Sequence, residues 1–193
     1  MKQIILQDID GCLLEWLSKL PEFLVKKGLK PDRAILSYAS GEYVSPEELT
    51  GLPSDKAYAL IEEYNASDYI KYLTPFKDAL AVINLIKHEF DFIAVTAIGR
   101  HESSTRNRMS NLEFWFPGAF SGIHCVDIEA SKQEILNSYS RTFFIDDSPT
   151  YCAEGVRAGH DTIRLVRDSR MDKVATVRCN NYYEVLNYIR SKQ

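Results

Sequence analysis

Two short stretches hold the residues best suited to chemistry. Gln3-Ile4-Ile5-Leu6-Gln7-Asp8-Ile9-Asp10-Gly11 is an apolar run that stops at two carboxylates two residues apart, and Thr142-Phe143-Phe144-Ile145-Asp146-Asp147 repeats the pattern far down the chain. Short apolar runs read as buried strands, and a carboxylate buried at a strand end is costly unless it is paired or holds a metal. Two such ends brought together by a parallel sheet gather four carboxylates, a repulsion that a divalent cation relieves. Hard oxygen ligands of this kind suit Mg²⁺. Gly11 permits the tight turn that lets both side chains and a nearby carbonyl converge on one ion.

The elements that must position these residues follow from periodicity. Apolar runs predict strands over 3–8, 90–96, 121–126, 142–145 and 162–166, and helical spacing predicts helices over 76–88, 104–116, 132–139, 151–158 and 182–189. This alternation is that of a three-layer α/β fold with a mainly parallel, Rossmann-like sheet of about five strands. Residues 14–28 have roughly helical spacing, with Pro21 threatening a break and Gly28 offering a stop. Residues 29–52 read as small helices joined by loops, and Pro53 opens another helix reaching Tyr64. The irregular stretch 15–75 is therefore expected to be a small helical cap inserted into a core made of 1–14 and 76–193. In this arrangement Asp8, Asp10, Thr96, Asp146 and Asp147 fall at the carboxyl ends of strands, where open parallel sheets bind their ligands. Lys132 opens a helix, a place unfavourable for a cation unless an anion sits there too.

Composition narrows the function classes. The 193 residues are 45% hydrophobic and 26% charged, ordinary values for a globular chain with one core and a modest appendage. A net charge of -4 argues against an extended nucleic acid as partner, while a small nucleotide could still enter a locally positive pocket. Cys12, Cys125, Cys152 and Cys179 are scattered, without the spacing of a zinc site or a disulfide framework, and read as reduced thiols. No run approaches the roughly 20 apolar residues of a membrane span, and no signal-like segment opens the chain. The expectation is a cytoplasmic protein without a membrane partner.

Four segments, in order, are Asp8-Ile9-Asp10-Gly11, Ile93-Ala94-Val95-Thr96, Ser131-Lys132 and Phe144-Ile145-Asp146-Asp147. Together they resemble the motifs of the haloacid dehalogenase-like superfamily of phosphohydrolases. The resemblance implies Mg²⁺-dependent hydrolysis of a phosphomonoester, with Asp8 attacking phosphorus to form an aspartyl-phosphate and Asp10 serving as acid and then base. It implies that Lys132 and Thr96, helped by backbone amides near Gly11 and Ala97, hold the phosphoryl oxygens. Mg²⁺ would sit on Asp8, the Asp10 carbonyl and Asp146, with Asp147 as a further ligand or beside them. Substrate choice would come from the cap, where Trp16, Phe23, Tyr38 and Tyr43 offer rings that can stack on a base, and from Arg100 after Thr96. The small cap, the segment Leu73–Ala79 and the short interval from Lys132 to Asp146 are most similar to the 5'(3')-deoxyribonucleotidase group, which makes a nucleoside monophosphate the expected substrate. A sugar phosphatase, a catalytically silent phospholigand- or partner-binding module, and a polynucleotide end phosphatase stay open as alternatives.

Overall fold

The computed structural model describes residues 2–171 and 174–193. In chain order it contains β1 (Gln3–Gln7), β2 (Leu14–Glu15), a 3₁₀ turn at Trp16–Ser18, and helices α1 (Leu20–Lys26), α2 (Asp32–Ser40), α3 (Pro46–Thr50) and α4 (Ser54–Ala66). A second 3₁₀ segment, Asp68–Tyr72, leads to β3 (Thr74–Pro75), α5 (Lys77–Ile86), β4 (Phe90–Ala97), α6 (Glu102–Trp115) and β5 (Phe120–Val126). The remainder is α7 (Gln133–Asn137), β6 (Phe143–Asp146), α8 (Pro149–Arg157), β7 (Asp161–Leu165), β8 (Val177–Cys179) and α9 (Tyr182–Arg190).

Six strands form one sheet in the order β5-β4-β1-β6-β7-β8, parallel at every pairing. Alternate residues of each strand serve opposite faces. Ile5, Phe92, Phe143 and Ile145 belong to the larger core, together with Val82 and Ile83 of α5 and Val185 and Ile189 of α9. Leu6, Val95 and Phe144 pack on the other face against Leu136 of α7, and Tyr151 and Ala158 from α8 and its end close over them. Both faces are covered, as an all-parallel sheet requires, and the strands are correspondingly apolar. Because β1 pairs with β4 on one side and β6 on the other, the chain leaves in opposite directions from its carboxyl end, which opens a crevice there.

The sixth strand, β8, goes beyond the five expected: Val177, Arg178 and Cys179 are too few to carry a readable period, and it is their backbone pairing with Ile163, Arg164 and Leu165 that makes them a strand. The expected helix over 14–28 is also divided. Leu14 and Glu15 pair antiparallel with Pro75 and Thr74, so the first turn of the anticipated helix is instead half of a two-stranded clip. Pro21 then falls in the first turn of α1, where its missing N–H costs nothing, and produces no kink. Within the bracketed stretch, Ser45 accepts a hydrogen bond from the Glu48 amide to cap α3, and Gly41 and Gly51, both left-handed, end α2 and α3.

Candidate active site

At the end of β1 the chain turns back on itself. Ile9 O accepts from the amides of Cys12, Leu13 and Leu14, and the Gly11 amide donates to Leu14 O. Gly11 has φ +78°, and a Cβ there would stand 2.6 Å from Asp147 Oδ2. Two independent constraints thus exclude a side chain: the left-handed backbone and the approach of the β6 loop.

The turn places Asp8 beside the end of β6, where the Asp8 amide donates to Ile145 O at 2.9 Å. Lys132, 0% exposed at the start of α7, donates its Nζ to Asp8 Oδ1 at 2.6 Å and to Asp146 Oδ2 at 2.8 Å. Its position is fixed from behind, because Glu154 of α8 accepts from the Lys132 amide at 2.7 Å and the Tyr151 ring lies 4.3 Å below the ammonium. Asp146 is committed on both oxygens, Oδ1 accepting from the Ser148 amide at 2.7 Å. Asp147 Oδ2 takes the Arg170 guanidinium at 2.5 Å, while its Oδ1 faces the Cys12 thiol at 3.9 Å. Asp10 Oδ2 takes the buried Arg108 guanidinium at 2.7 Å. Thr96, 1% exposed at the end of β4, has a hydroxyl without a partner among the described residues.

The charges are out of balance, and the titration behaviour reflects it. Burial pushes Asp8 well above the usual carboxylate range; Lys132 opposes the shift, and Asp146 and Asp147 reinforce it. Asp10 is raised by burial against the pull of Arg108 and Lys132. Asp147 is pushed up to about 7, again by burial, with Arg170 opposing. Lys132 is raised as well: burial disfavours its charge, but Asp146 and Asp8 outweigh burial and hold the proton on. Carboxylates whose folded pKa exceeds the unfolded value add stability below the unfolded value and lose it as pH rises through the folded one. In chelator, therefore, the melting temperature should fall between pH 4 and pH 7, the window set by Asp147, with Asp8 acting in the same direction. Thermal melts at pH 5 and pH 8 check the sign; a higher melting temperature at pH 8 would contradict it.

Above these groups is a cleft of about 630 Å³ lined by Asp8, Asp10, Thr96, Ala97, Asp146 and Asp147, and also by Tyr43, Tyr151 and Arg170. A second cavity of about 300 Å³ adjoins it between residues 15–49 and the core. Asp10, Tyr43, Asp147 and Arg170 line both spaces, and the second is otherwise walled largely by Trp16, Leu17, Tyr38, Val44, Leu49 and Phe76. Of the rings singled out from the sequence, Trp16, Tyr38 and Tyr43 border this cavity. Phe23 does not: it is 2% exposed and packs on Tyr64 and Tyr69 inside the helical stretch. Arg100 is also elsewhere, exposed and paired with Asp127 at 3.2 Å.

Sequence reasoning missed Arg108 and Arg170. Arg108 is on a face of α6 whose buried residues are mostly polar, Ser104, Asn107 and Asn111 among them, so no apolar period marks it as inward. Arg170 follows β7 in a charged stretch, Arg167-Asp168-Ser169-Arg170, that reads as a solvated loop.

A divalent cation is compatible with this donor set. Oxygens of Asp8 and Asp147 converge with Cys12 Sγ, the three ligand atoms lying within 4.8 Å of one another. Burial keeps the Cys12 thiol protonated, its pKa pushed well up, so the effective donors are oxygens, a set that favours Mg²⁺. Asp146, one of the expected ligands, lies beside them and is held by Lys132 and the Ser148 amide.

Comparison with known proteins gives the fold its class. A haloacid dehalogenase-like hydrolase from Streptococcus pneumoniae superposes with a TM-score of 0.70 at 15% identity, covering 97% of this chain and 98% of that one. A Bacillus subtilis protein described as a HAD-hydrolase bound to magnesium gives 0.67 at 16% identity, with 97% and 98% covered. The L-2-haloacid dehalogenase of Xanthobacter autotrophicus gives 0.66 at 12% identity with both chains fully covered. The chain thus has the haloacid dehalogenase-like fold. In sequence it is 40% identical over 156 residues to an uncharacterized 32.4 kDa protein of the Gp30-rIII intergenic region of Enterobacteria phage T4. The match takes in 79% of this chain and spans 56% of that relative's length. No protein-family model matches the chain. Among the described residues no helix is long and apolar enough to cross a membrane.

Proposed function

We propose that the chain is a Mg²⁺-dependent phosphomonoester hydrolase. The observation that carries this reading is the buried Asp8, held 2.6 Å from the Lys132 ammonium at the meeting point of β1, β4 and β6, with Asp10, Asp146 and Asp147 around it. An Asp8 oxygen attacks phosphorus, the bond from phosphorus to the leaving oxygen breaks, and Asp10 gives that oxygen its proton. Water then attacks the aspartyl-phosphate, Asp10 takes back a proton, and Asp8 and inorganic phosphate are released. Lys132 is placed to offset charge on Asp8 and on the phosphoryl oxygens, and the unpartnered Thr96 hydroxyl can donate to one of them. Asp8 and Asp147 would hold the Mg²⁺, with the Asp10 carbonyl and Asp146 as the further ligands the resemblance implies. The cation would supply the positive charge that lets Asp8 stay ionised and a dianion approach.

We assign residues 15–75 the role of a cap that selects the leaving group. Asp10 borders both cavities, so a phosphate at Asp8 with its leaving oxygen at Asp10 sends the rest of the substrate toward Trp16, Tyr38, Tyr43 and Phe76. A flat, partly apolar group suits those walls better than a bare sugar, which supports a nucleoside monophosphate. The test is phosphate release from nucleoside 5′- and 3′-monophosphates, sugar phosphates and phosphoglycolate, with Mg²⁺ or chelator. Nucleotides are expected to be turned over at least about tenfold faster than sugar phosphates, and chelator to abolish both. A preference for sugar phosphates overturns the substrate assignment, and hydrolysis unaffected by chelator overturns the metal.

A further inference from the structure

Arg108 is fully buried on α6, 0% exposed, and its one described partner is Asp10. Its Nε and Nη1 have no acceptor among the described residues. A buried guanidinium is costly unless it is paired, so the energetic reason for this one is the Asp10 carboxylate at 2.7 Å. The same helix face holds the returning end of the inserted stretch. Asn107 Nδ2 donates to Ser67 O at 2.9 Å, Asn111 Nδ2 to Lys71 O at 2.7 Å, and the Trp115 indole N–H to Leu73 O at 3.0 Å. Asp10 itself comes from the opposite side, through the turn that leads into Leu14 and the clip with Pro75. One rigid helix thus grips the acid and the hinge of the cap at successive turns.

We propose that Arg108 is a positioning residue for Asp10, and that Asn107 and Asn111 tie that position to the exit of the cap, so that the proton donor is aligned only when the cap's returning segment is seated. The inference rests on the phosphohydrolase reading and adds a residue outside the four motifs. Arg108 acts through Asp10: it is fully buried, lies outside the lining of both cavities and turns its described contact onto that carboxylate.

A proton donor matters most when the leaving group is poor, which separates positioning of Asp10 from general damage to the fold. The experiment compares kcat for p-nitrophenyl phosphate, whose leaving group needs little help, with kcat for a nucleoside monophosphate or glycerol phosphate, whose alkoxide needs a proton. In Arg108→Met the alkyl ester should lose about 30- to 100-fold, a share of the roughly 10²–10⁴ that acid catalysis contributes, and the aryl ester less than about threefold. Arg108→Lys should recover much of the loss. In an Asp10→Asn background, Arg108→Met should change the ratio of the two rates no further. Should Arg108→Met fail to fold because Asp10 is left unpaired, Arg108→Lys and Asn111→Ala still decide: each should lower the alkyl-to-aryl ratio several-fold, while Asn84→Ala, which removes a carbonyl contact to Trp115 away from Asp10, should leave it unchanged. Equal losses on both esters, an unchanged ratio, or full additivity with Asp10→Asn would overturn the inference. If the wild type hydrolyses neither ester, the phosphohydrolase reading falls and the inference falls with it, an outcome distinct from turnover with an unaltered ratio.

Discussion

Lys132→Met should lower the melting temperature by about 6–20 °C and leave little activity. The residue is buried and its ammonium lies within 2.8 Å of both Asp8 and Asp146. Removing one partner of a buried charge group costs about 3–5 kcal/mol, because the remaining carboxylates keep their desolvation penalty without the attraction that offset it. In a domain of this size each kcal/mol moves the midpoint by about 2–4 °C. The loss should shrink at the lower pH, because Asp8, already raised by burial, gives up its charge more readily there, and shrink again in millimolar Mg²⁺. Calorimetry of wild type and variant at pH 5 and pH 8, with and without Mg²⁺, measures all three effects. A variant that melts within 2 °C of wild type at pH 8 in chelator would show that the lysine is not what holds these acids in place.

Asp8→Asn carries the largest expected loss of activity, about 10⁴-fold or more in phosphate release, on the scale seen when a nucleophile is removed from a group of residues acting as a unit. Its effect on stability should be small or favourable. Asp8 is already pushed toward its protonated form by burial and by Asp146 and Asp147, so a neutral amide of the same shape gives up one ion pair and removes two repulsions. Lys132 keeps Asp146 as partner. The pair of measurements is phosphate release and melting temperature on the same preparation. Activity above about 1% of wild type would exclude Asp8 as the attacking group, and a large drop in melting temperature would mean that the pair with Lys132 outweighs the crowding.

The two substitutions pull in opposite directions because Lys132 relieves a crowding of carboxylates to which Asp8 contributes. Asp8, Asp10, Asp146 and Asp147 could be found from sequence, since acids directly after apolar runs are costly and strand ends in a parallel sheet converge. Lys132 was legible for a similar reason, as a cation at a helix start. The parallel sheet itself followed from the strand and helix rhythm, apart from the three-residue β8. What sequence could not supply is which polar residue faces inward when a whole helix face is polar, as at Arg108, or which charged loop folds over the cleft, as at Arg170. Nor can ring periodicity separate Phe23, inside a cluster with Tyr64 and Tyr69, from Tyr43, which stacks on the Arg170 guanidinium 4.6 Å away and borders both cavities. Both are aromatic residues in short helical surroundings, and only the packing of the whole stretch distinguishes them.

The strand order also has a consequence for how the chain comes to be folded. β1 precedes every other strand of the sheet, yet both of its neighbours, β4 and β6, lie beyond the helices α1 to α5. During synthesis the helices from α1 to α4 have their partners close at hand and can condense early, whereas β1 must wait until Asp146 has emerged before it is flanked on both sides. Loop closure over that span makes such parallel pairing slow. The nascent chain therefore carries an apolar segment with two adjoining carboxylates, unsheltered, until β6 has emerged, and those charges, later at the floor of the cleft, meanwhile help keep the exposed strand from pairing with another chain.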